Sequence, residues 1–223
     1  MTVAEAVRHY IETHPFIEEG LSDGIINYAG LARMIQPAIQ MQCLQTVREG
    51  AIIMALKRLS PSYYYQVSAG IKKFLSRLGQ FTVRYDIVDY TYQNSSSLIG
   101  QQETVFRHIA KHPEVFYSFS QGLSESTIVA SKHLDEYISG LFSNEQMLAH
   151  KKDLAALTIM LPKDNTEISG IYYFIFKELA WQDINIVEVI STTHEITLVV
   201  AESDVEESFR LVRRLKSTQT MKK

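Results

Sequence analysis

A chain of 223 residues with 46% hydrophobic and 21% charged side chains has room for one large core or two to three small ones, in the proportions of an ordinary globular protein. A formal charge of −3 argues against strong nonspecific attraction to nucleic acid or anionic membrane, and the single Cys43 rules out a disulfide framework or a thiolate metal cluster. No basic-then-apolar leader opens the chain and no apolar run approaches ~18 residues, so the expectation is a cytoplasmic protein with no membrane segment.

The first third reads as helices. Asn27 precedes an apolar stripe of Tyr28, Leu31, Ala32 and Ile35, and Thr46 with Glu49 forms a capping-box pattern ahead of Ile52, Ala55, Leu56 and Leu59. "SPSYYYQ" at 60–66 is a break. Val67, Ile71, Phe74, Leu75 and Leu78 make another stripe, with Gly79 placed as a helix stop. After Gly79 the period changes from helical to alternating. "FTVRYDIVDYTYQ" predicts a strand with Val83, Tyr85, Ile87 and Asp89 on one side and Arg84, Asp86, Val88 and Tyr90 on the other. A helix to His112, two strands around a turn near Gly122 and a helix over 134–142 follow.

The same order returns from Leu154. "LAALTIMLP" predicts a strand and "KDNTE" a loop, and Ile168, Ile171, Tyr172, Ile175, Phe176 and Leu179 give a helix stripe. Strands over 184–191 and 195–201 come next, and Val205, Phe209 and Val212 mark a last helix. Sliding the chain by about seventy positions aligns the two copies without a gap, placing Gly100 on Gly170, Phe106 on Phe176 and Thr127 on Thr197. The expected fold class is α+β, an antiparallel sheet with helices on one face in the ferredoxin-like manner. Each copy lacks the last strand of a β-α-β-β-α-β unit. An uncovered edge invites pairing, so the copies are expected to sit side by side or the protein to dimerise.

The second copy resembles the ACT domain, of the aspartokinase regulatory kind. Gly170 opens its helix, and "FKELAWQDINIVEVISTTHEITLVV" carries Leu179-Ala180, Ile184-Asn185-Ile186 and Ser191-Thr192-Thr193 at that family's spacings; the resemblance covers roughly 154–215 and is fainter in the first copy. Two positions depart from the pattern: Ser169 stands for the usual Pro and Asp183 for the usual Gly. The resemblance implies two ferredoxin-like ACT units, 80–150 and 151–223, after a helical domain over 1–79, and a regulatory role without kinase activity.

It also implies an amino-acid ligand at the helix N-terminus, where free amide N–H groups and the positive dipole end suit a carboxylate. Gly170 would admit the ligand, Asp164 would take its ammonium group, and Asn165, Thr166 and Ser169 would supply hydrogen bonds. Asn185, polar between two isoleucines, would be reached from a neighbouring unit. The plainer alternative is that Asp164 and Asn165 shape a turn, Ser169 or Thr166 caps the helix and Asn185 closes a turn. In the first copy the corresponding loop offers Asn94, Ser95, Ser96, Ser97 and Gly100, a hydroxyl-rich pocket or a solvated loop.

No phosphate-cradling glycine loop, G-x-S-x-G or H-E-x-x-H motif and no Cys/His metal cluster appears, so neither catalytic residues nor a metal or cofactor is expected. His108 and His112 stand at i, i+4 without a third ligand, and Cys43 reads as a small buried apolar residue. "INYAGLARMI" and "VREGAIIMALKRLS" resemble the helix pair of a helix-turn-helix or winged-helix domain. Arg48 would then meet a base edge and Lys57, Arg58, Lys72 and Lys73 phosphates. Against this, the connection is about ten residues, and Ile53 and Met54 lie off the buried stripe of the would-be reading helix. The favoured expectation is a non-catalytic, homodimeric sensor of an amino acid that acts on a protein partner. The alternatives are an amino-acid-responsive DNA-binding regulator and a structural dimerisation module without a ligand.

Overall fold

The structure is a computed structural model and describes residues 1–59 and 70–217. The expected break at 60–66 and Val67 lie outside the described residues. The chain divides into two compact units, Met1–Lys73 and Phe74–Lys223.

The first unit is helical, with α1 (Val3–Glu12), α2 (Pro15–Ser22), α3 (Tyr28–Cys43) and α4 (Glu49–Arg58). Asn27 caps α3 as expected, its Oδ1 accepting from the Ala29 and Gly30 amides at 2.9 and 3.1 Å. Val7, Ile11, Leu31, Ile35, Ile39, Val47, Ile52 and Leu56 form one core, and Cys43 packs against it as a partly buried apolar residue. Two expectations are corrected. α3 runs through Pro37, so the connection to α4 is residues 44–48 rather than about ten. Proline removes a helix bond and crowds the preceding turn, but Ile35 and Ile39 on either side are both fully buried. Burying each is worth about 1.5–3 kcal/mol, enough to carry the helix across the defect. The second correction concerns the capping box, which does not form at Thr46. Arg48 holds the cap position without a side-chain bond, while Val47 is buried and its carbonyl accepts from Gln36 Nε2 at 2.8 Å. That anchor, and not a cap, sets where α4 begins.

Residues 70–75 are helical, with Ile71, Phe74 and Leu75 buried. Gly79 stops nothing by its conformation, because a close approach fixes it there. A Cβ at Gly79 would stand 2.8 Å from Met160 Cβ, and its amide donates to Met160 O at 2.8 Å.

The second unit is a sheet of β1 (Phe81–Gln93), β2 (Tyr117–Gln121), β3 (Glu125–Ser131), β4 (Met147–Met160), β5 (Ile186–Ser191) and β6 (Glu195–Ala201), ordered β2-β3-β1-β4-β6-β5. All its pairs are antiparallel. The helices are α5 (Ser96–Ile109), α6 (Asp135–Leu141), α7 (Ile171–Ala180) and α8 (Val205–Ser217). Each repeat is strand–helix–strand–strand–helix, as read from the sequence. The missing fourth strand is answered by β1 and β4, which pair with each other and join both repeats into one sheet.

That pairing has a two-fold pattern. Ile87 faces Leu154, 67 positions on, and the pairs Arg84–Ala156 and Asp89–Lys151 map onto each other through the same shift. Helices and hairpins repeat at about seventy, so the gapless alignment fails by three residues in the strands. The second copy takes up the difference in a longer β4–α7 connection, with a 3-10 turn over Asn165–Glu167. Asp86 and Asp153, also 67 apart, both adopt positive φ of 55° beside a shift in register. This bulge corrects the expected faces of β1. Val83 pairs with Leu157 and shares the helix side with Val88 and Tyr90, whereas Ile87 and Asp89 point to the other side.

Val88, Tyr90 and Tyr92 pack with Leu98 and Val105 of α5 and Ile138 of α6. On the other face Ile87, Val129, Leu154, Ala156 and Val199 make a separate small cluster. Two strand starts also move: β4 begins seven residues before the expected Leu154, and β5 begins at Ile186 rather than 184. α5 ends at Ile109, three residues before the expected His112. No helix among the described residues is long and apolar enough to cross a membrane.

Candidate functional site

Residues 161–170 tie β4 to α7 and are sewn onto the β5–β6 turn. Leu161 N donates to His194 O at 2.7 Å, and buried Asn165 donates from Nδ2 to the Thr193 carbonyl. Gly170 follows at φ 86°, in the left-handed region that glycine enters without strain, and it holds the cap position of α7 with no side-chain cap bond. The first turn of α7 borders a cavity of about 370 Å³ lined by Asn165, Thr166, Ile168, Gly170, Ile171, Tyr172 and Tyr173. Tyr172 OH lies 2.8 Å from Ser191 Oγ and closes one wall. The site combines the N-terminus of a ten-residue helix, whose dipole end favours negative charge, with an aromatic rim.

Of the expected second-copy residues, the structure brings together Asn165, Thr166 and Gly170. Asp164 turns elsewhere, its Oδ2 taking a 2.7 Å hydrogen bond from Arg77 Nη2, which holds the carboxyl below its usual range. Ser169 is exposed and does not line the cavity. Asn185 is exposed at the far end of β5 from the 191–195 turn, so the structure does not bring it to this loop. Tyr173 and Arg77 were not expected at the site, and Tyr172, expected on the apolar stripe of α7, stands exposed on the cavity wall instead. The pair of tyrosines was the available signal, since neighbouring helix positions cannot both face the core.

The first copy uses its polar loop differently. Asn94 binds the β2–β3 turn from both ends of its amide, donating to Gly122 O at 3.0 Å and accepting from Ser126 Oγ at 2.6 Å. Ser95 caps α5, accepting from Leu98 N at 3.0 Å and donating to Glu145 at 2.5 Å. Ser96 is the exposed first residue of α5, and Gly100 lies within the helix with open space around it rather than at its start.

Elsewhere, Arg48 and the pair Lys57 and Arg58 are exposed at opposite ends of α4, and Lys72 and Lys73 are exposed in the helical stretch 70–75. Ile53 packs partly buried on the core, while Met54 is half exposed. His108 stacks on Tyr137 at 4.2 Å and His112 sits 3.3 Å from Glu114. No group of three metal-holding side chains occurs among the described residues.

No protein-family model matches the chain, and no curated protein matches it. Solved structures do. The ligand-free regulatory subunit of aspartate kinase from Thermus thermophilus superposes with a TM-score of 0.50 at 12% identity, over 62% of this chain and 97% of that one. A structure of aspartokinase alpha and beta subunits gives 0.50 at 10% identity, over 62% and 97%. Clostridium acetobutylicum aspartate kinase, described as an allosteric enzyme, gives 0.52 at 13% identity, over 63% of this chain and 35% of that one. At such identities the likeness is one of fold. For about three fifths of its length the chain has the α+β fold of aspartokinase regulatory subunits, the ACT-type fold that its second repeat resembles in sequence.

Proposed function

We propose that the chain is a non-catalytic regulatory protein whose ACT units sense a free amino acid at the N-terminus of α7. The observation that carries this reading is the uncapped helix end behind Gly170, opening onto a cavity of amino-acid size. The ligand carboxylate would take the amides of Ile171 and Tyr172, with Thr166 at the rim and Ser169 available only to a ligand that extends beyond the cavity. Its ammonium group would compete with Arg77 for Asp164, an exposed pair held by one short hydrogen bond. Asn185 would serve a neighbouring copy, which makes a homodimer part of the proposal. So is the division into a helical part over 1–79 and two units, 80–150 and 151–223. A cytoplasmic setting and a regulated protein partner complete it. Ligand capture shifts such an assembly only by its difference in affinity between arrangements.

Thermal unfolding against a panel of free amino acids is the test. One of them is expected to raise the midpoint with the logarithm of its concentration, by about 2.7 kcal/mol of stability at a hundred times its dissociation constant. Gly170→Val should abolish the shift. No shift with any amino acid at millimolar concentration overturns the sensor and leaves a structural dimerisation module.

One observation favours a second reading. The α3–α4 connection of residues 44–48 is close to the length of a helix-turn-helix turn, which supports DNA binding through Arg48, Lys57, Arg58, Lys72 and Lys73. Absence of a mobility shift on duplex DNA even at low salt would remove it.

A further inference from the structure

Helix α8 carries four basic residues after its first turn, and they fall into two classes. Arg210 is clamped by Glu207, Nε to Oε2 at 2.7 Å and Nη2 to Oε1 at 2.5 Å, and Arg214 reaches Glu178 at 2.7 Å. Arg213 and Lys216, one turn apart, meet no carboxylate among the described residues. They stand over aromatic rings instead: the Arg213 guanidinium is 5.9 Å from the Phe209 centroid and the Lys216 ammonium 5.8 Å from that of Phe81. Lys216 makes one further bond, to the Gly79 carbonyl at 3.3 Å. The two rings meet edge to face at 5.8 Å, and between rings and cations opens a cavity of about 500 Å³ with Ser76 and Ser217 on its rim.

Two cations that share a cleft repel each other, and their interaction with ring faces is weak where water has access. Such an arrangement is stabilised by an anion that bridges the two, while the two rings, set nearly at right angles, offer an apolar corner beside it. We propose that this cleft binds a small organic anion carrying a planar ring, with its phosphate or carboxylate between Arg213 and Lys216 and its ring against Phe81 and Phe209. Nucleotides and aromatic carboxylates share that chemistry. The cleft lies against α8 and the start of β1 and shares no lining residue with the cavity at α7.

Titration calorimetry of the full chain with adenosine monophosphate, phenylacetate, adenosine and inorganic phosphate tests the assignment. At least one of the two ring-bearing anions is expected to bind, at least tenfold more tightly than either adenosine or inorganic phosphate. Which of the two does so tells a nucleotide site from a carboxylate site. Arg213→Gln and Lys216→Gln should each weaken that binding at least tenfold, and Arg210→Gln should leave it unchanged, with melting curves showing all three variants folded. No binding of either anion at millimolar concentration overturns the proposal. So does binding insensitive to Arg213→Gln and Lys216→Gln, or inorganic phosphate binding as tightly as the ring-bearing anions.

Discussion

The two halves of the sheet share a backbone and differ in what they do with the start of their first helix. In the first half Ser95 caps α5, Asn94 grips the β2–β3 turn and Glu145 receives the Ser95 hydroxyl. In the second half the corresponding helix opens behind a left-handed glycine with no cap, over a cavity. A helix that satisfies its own N–H groups gains stability, and one that leaves them open keeps donors for a guest. The same contrast appears on the other face, where Asp89 of β1 occupies the place that Ala156 holds in β4.

Asp89 offers the largest test of that asymmetry. It is 3% exposed and its Oδ1 has no hydrogen-bond partner among the described residues. Burial first, and Glu188 second, push its carboxyl from an ordinary value of 3.8 up to about 6, with Lys151 pulling the other way. The folded state therefore holds the proton more tightly than the unfolded one. The favourable contribution is full below about pH 4 and disappears as pH rises through 6. Asp89→Asn is expected to raise stability at pH 8 by roughly 1–3 kcal/mol and to change little near pH 4, as read by urea unfolding. An equal gain at both pH values would break the explanation by titration.

Next in size are the helix starts. Ser95→Ala should lower stability by about 1 kcal/mol, rising toward 2 because the Glu145 bond goes with the cap. Ser169→Ala and Thr166→Ala should leave stability unchanged within ~0.5 kcal/mol, since neither side chain caps α7. Equal losses on the two sides would erase the contrast.

Smaller again is Asp183, at φ 58° just after α7, where Asp183→Gly should raise stability by about 0.5–1 kcal/mol in thermal unfolding. The position seventy earlier is Pro113, which cannot adopt that conformation, so the gain belongs to the second half alone. The smallest effect is expected from Arg77→Gln. Removing the guanidinium should let the Asp164 carboxyl return upward toward its usual range in an NMR titration, with the melting temperature nearly unchanged.

The order of strands and helices was legible because burial writes a period of two or 3.6 into each segment, and Ile171, Ile175 and Leu179 or Val88 and Tyr90 carry it openly. The features missed were those that a local pattern cannot contain. The bulges at Asp86 and Asp153 need a positive φ that only the folded register reveals, and they reverse the face of Val83. Pro37 looks like a stop until the isoleucines on both sides prove buried. The site was half legible. Gly170 and Asn165 were expected at the loop, but the Arg77–Asp164 bond joins residues 87 positions apart, and nothing in the immediate sequence of either one specifies it.

The pairing of β1 with β4 also has a consequence in time. During synthesis the first repeat emerges with a thirteen-residue strand whose partner, ending at Met160, has not yet been made. At about 5–20 residues per second, the nearly seventy residues from the end of β1 to Met160 leave one edge of that strand unpaired for several seconds. Its other edge pairs with β3 inside the first repeat, so only the edge that awaits β4 stays open. A nascent chain arrested before Met147 is expected to be the species that chaperones hold.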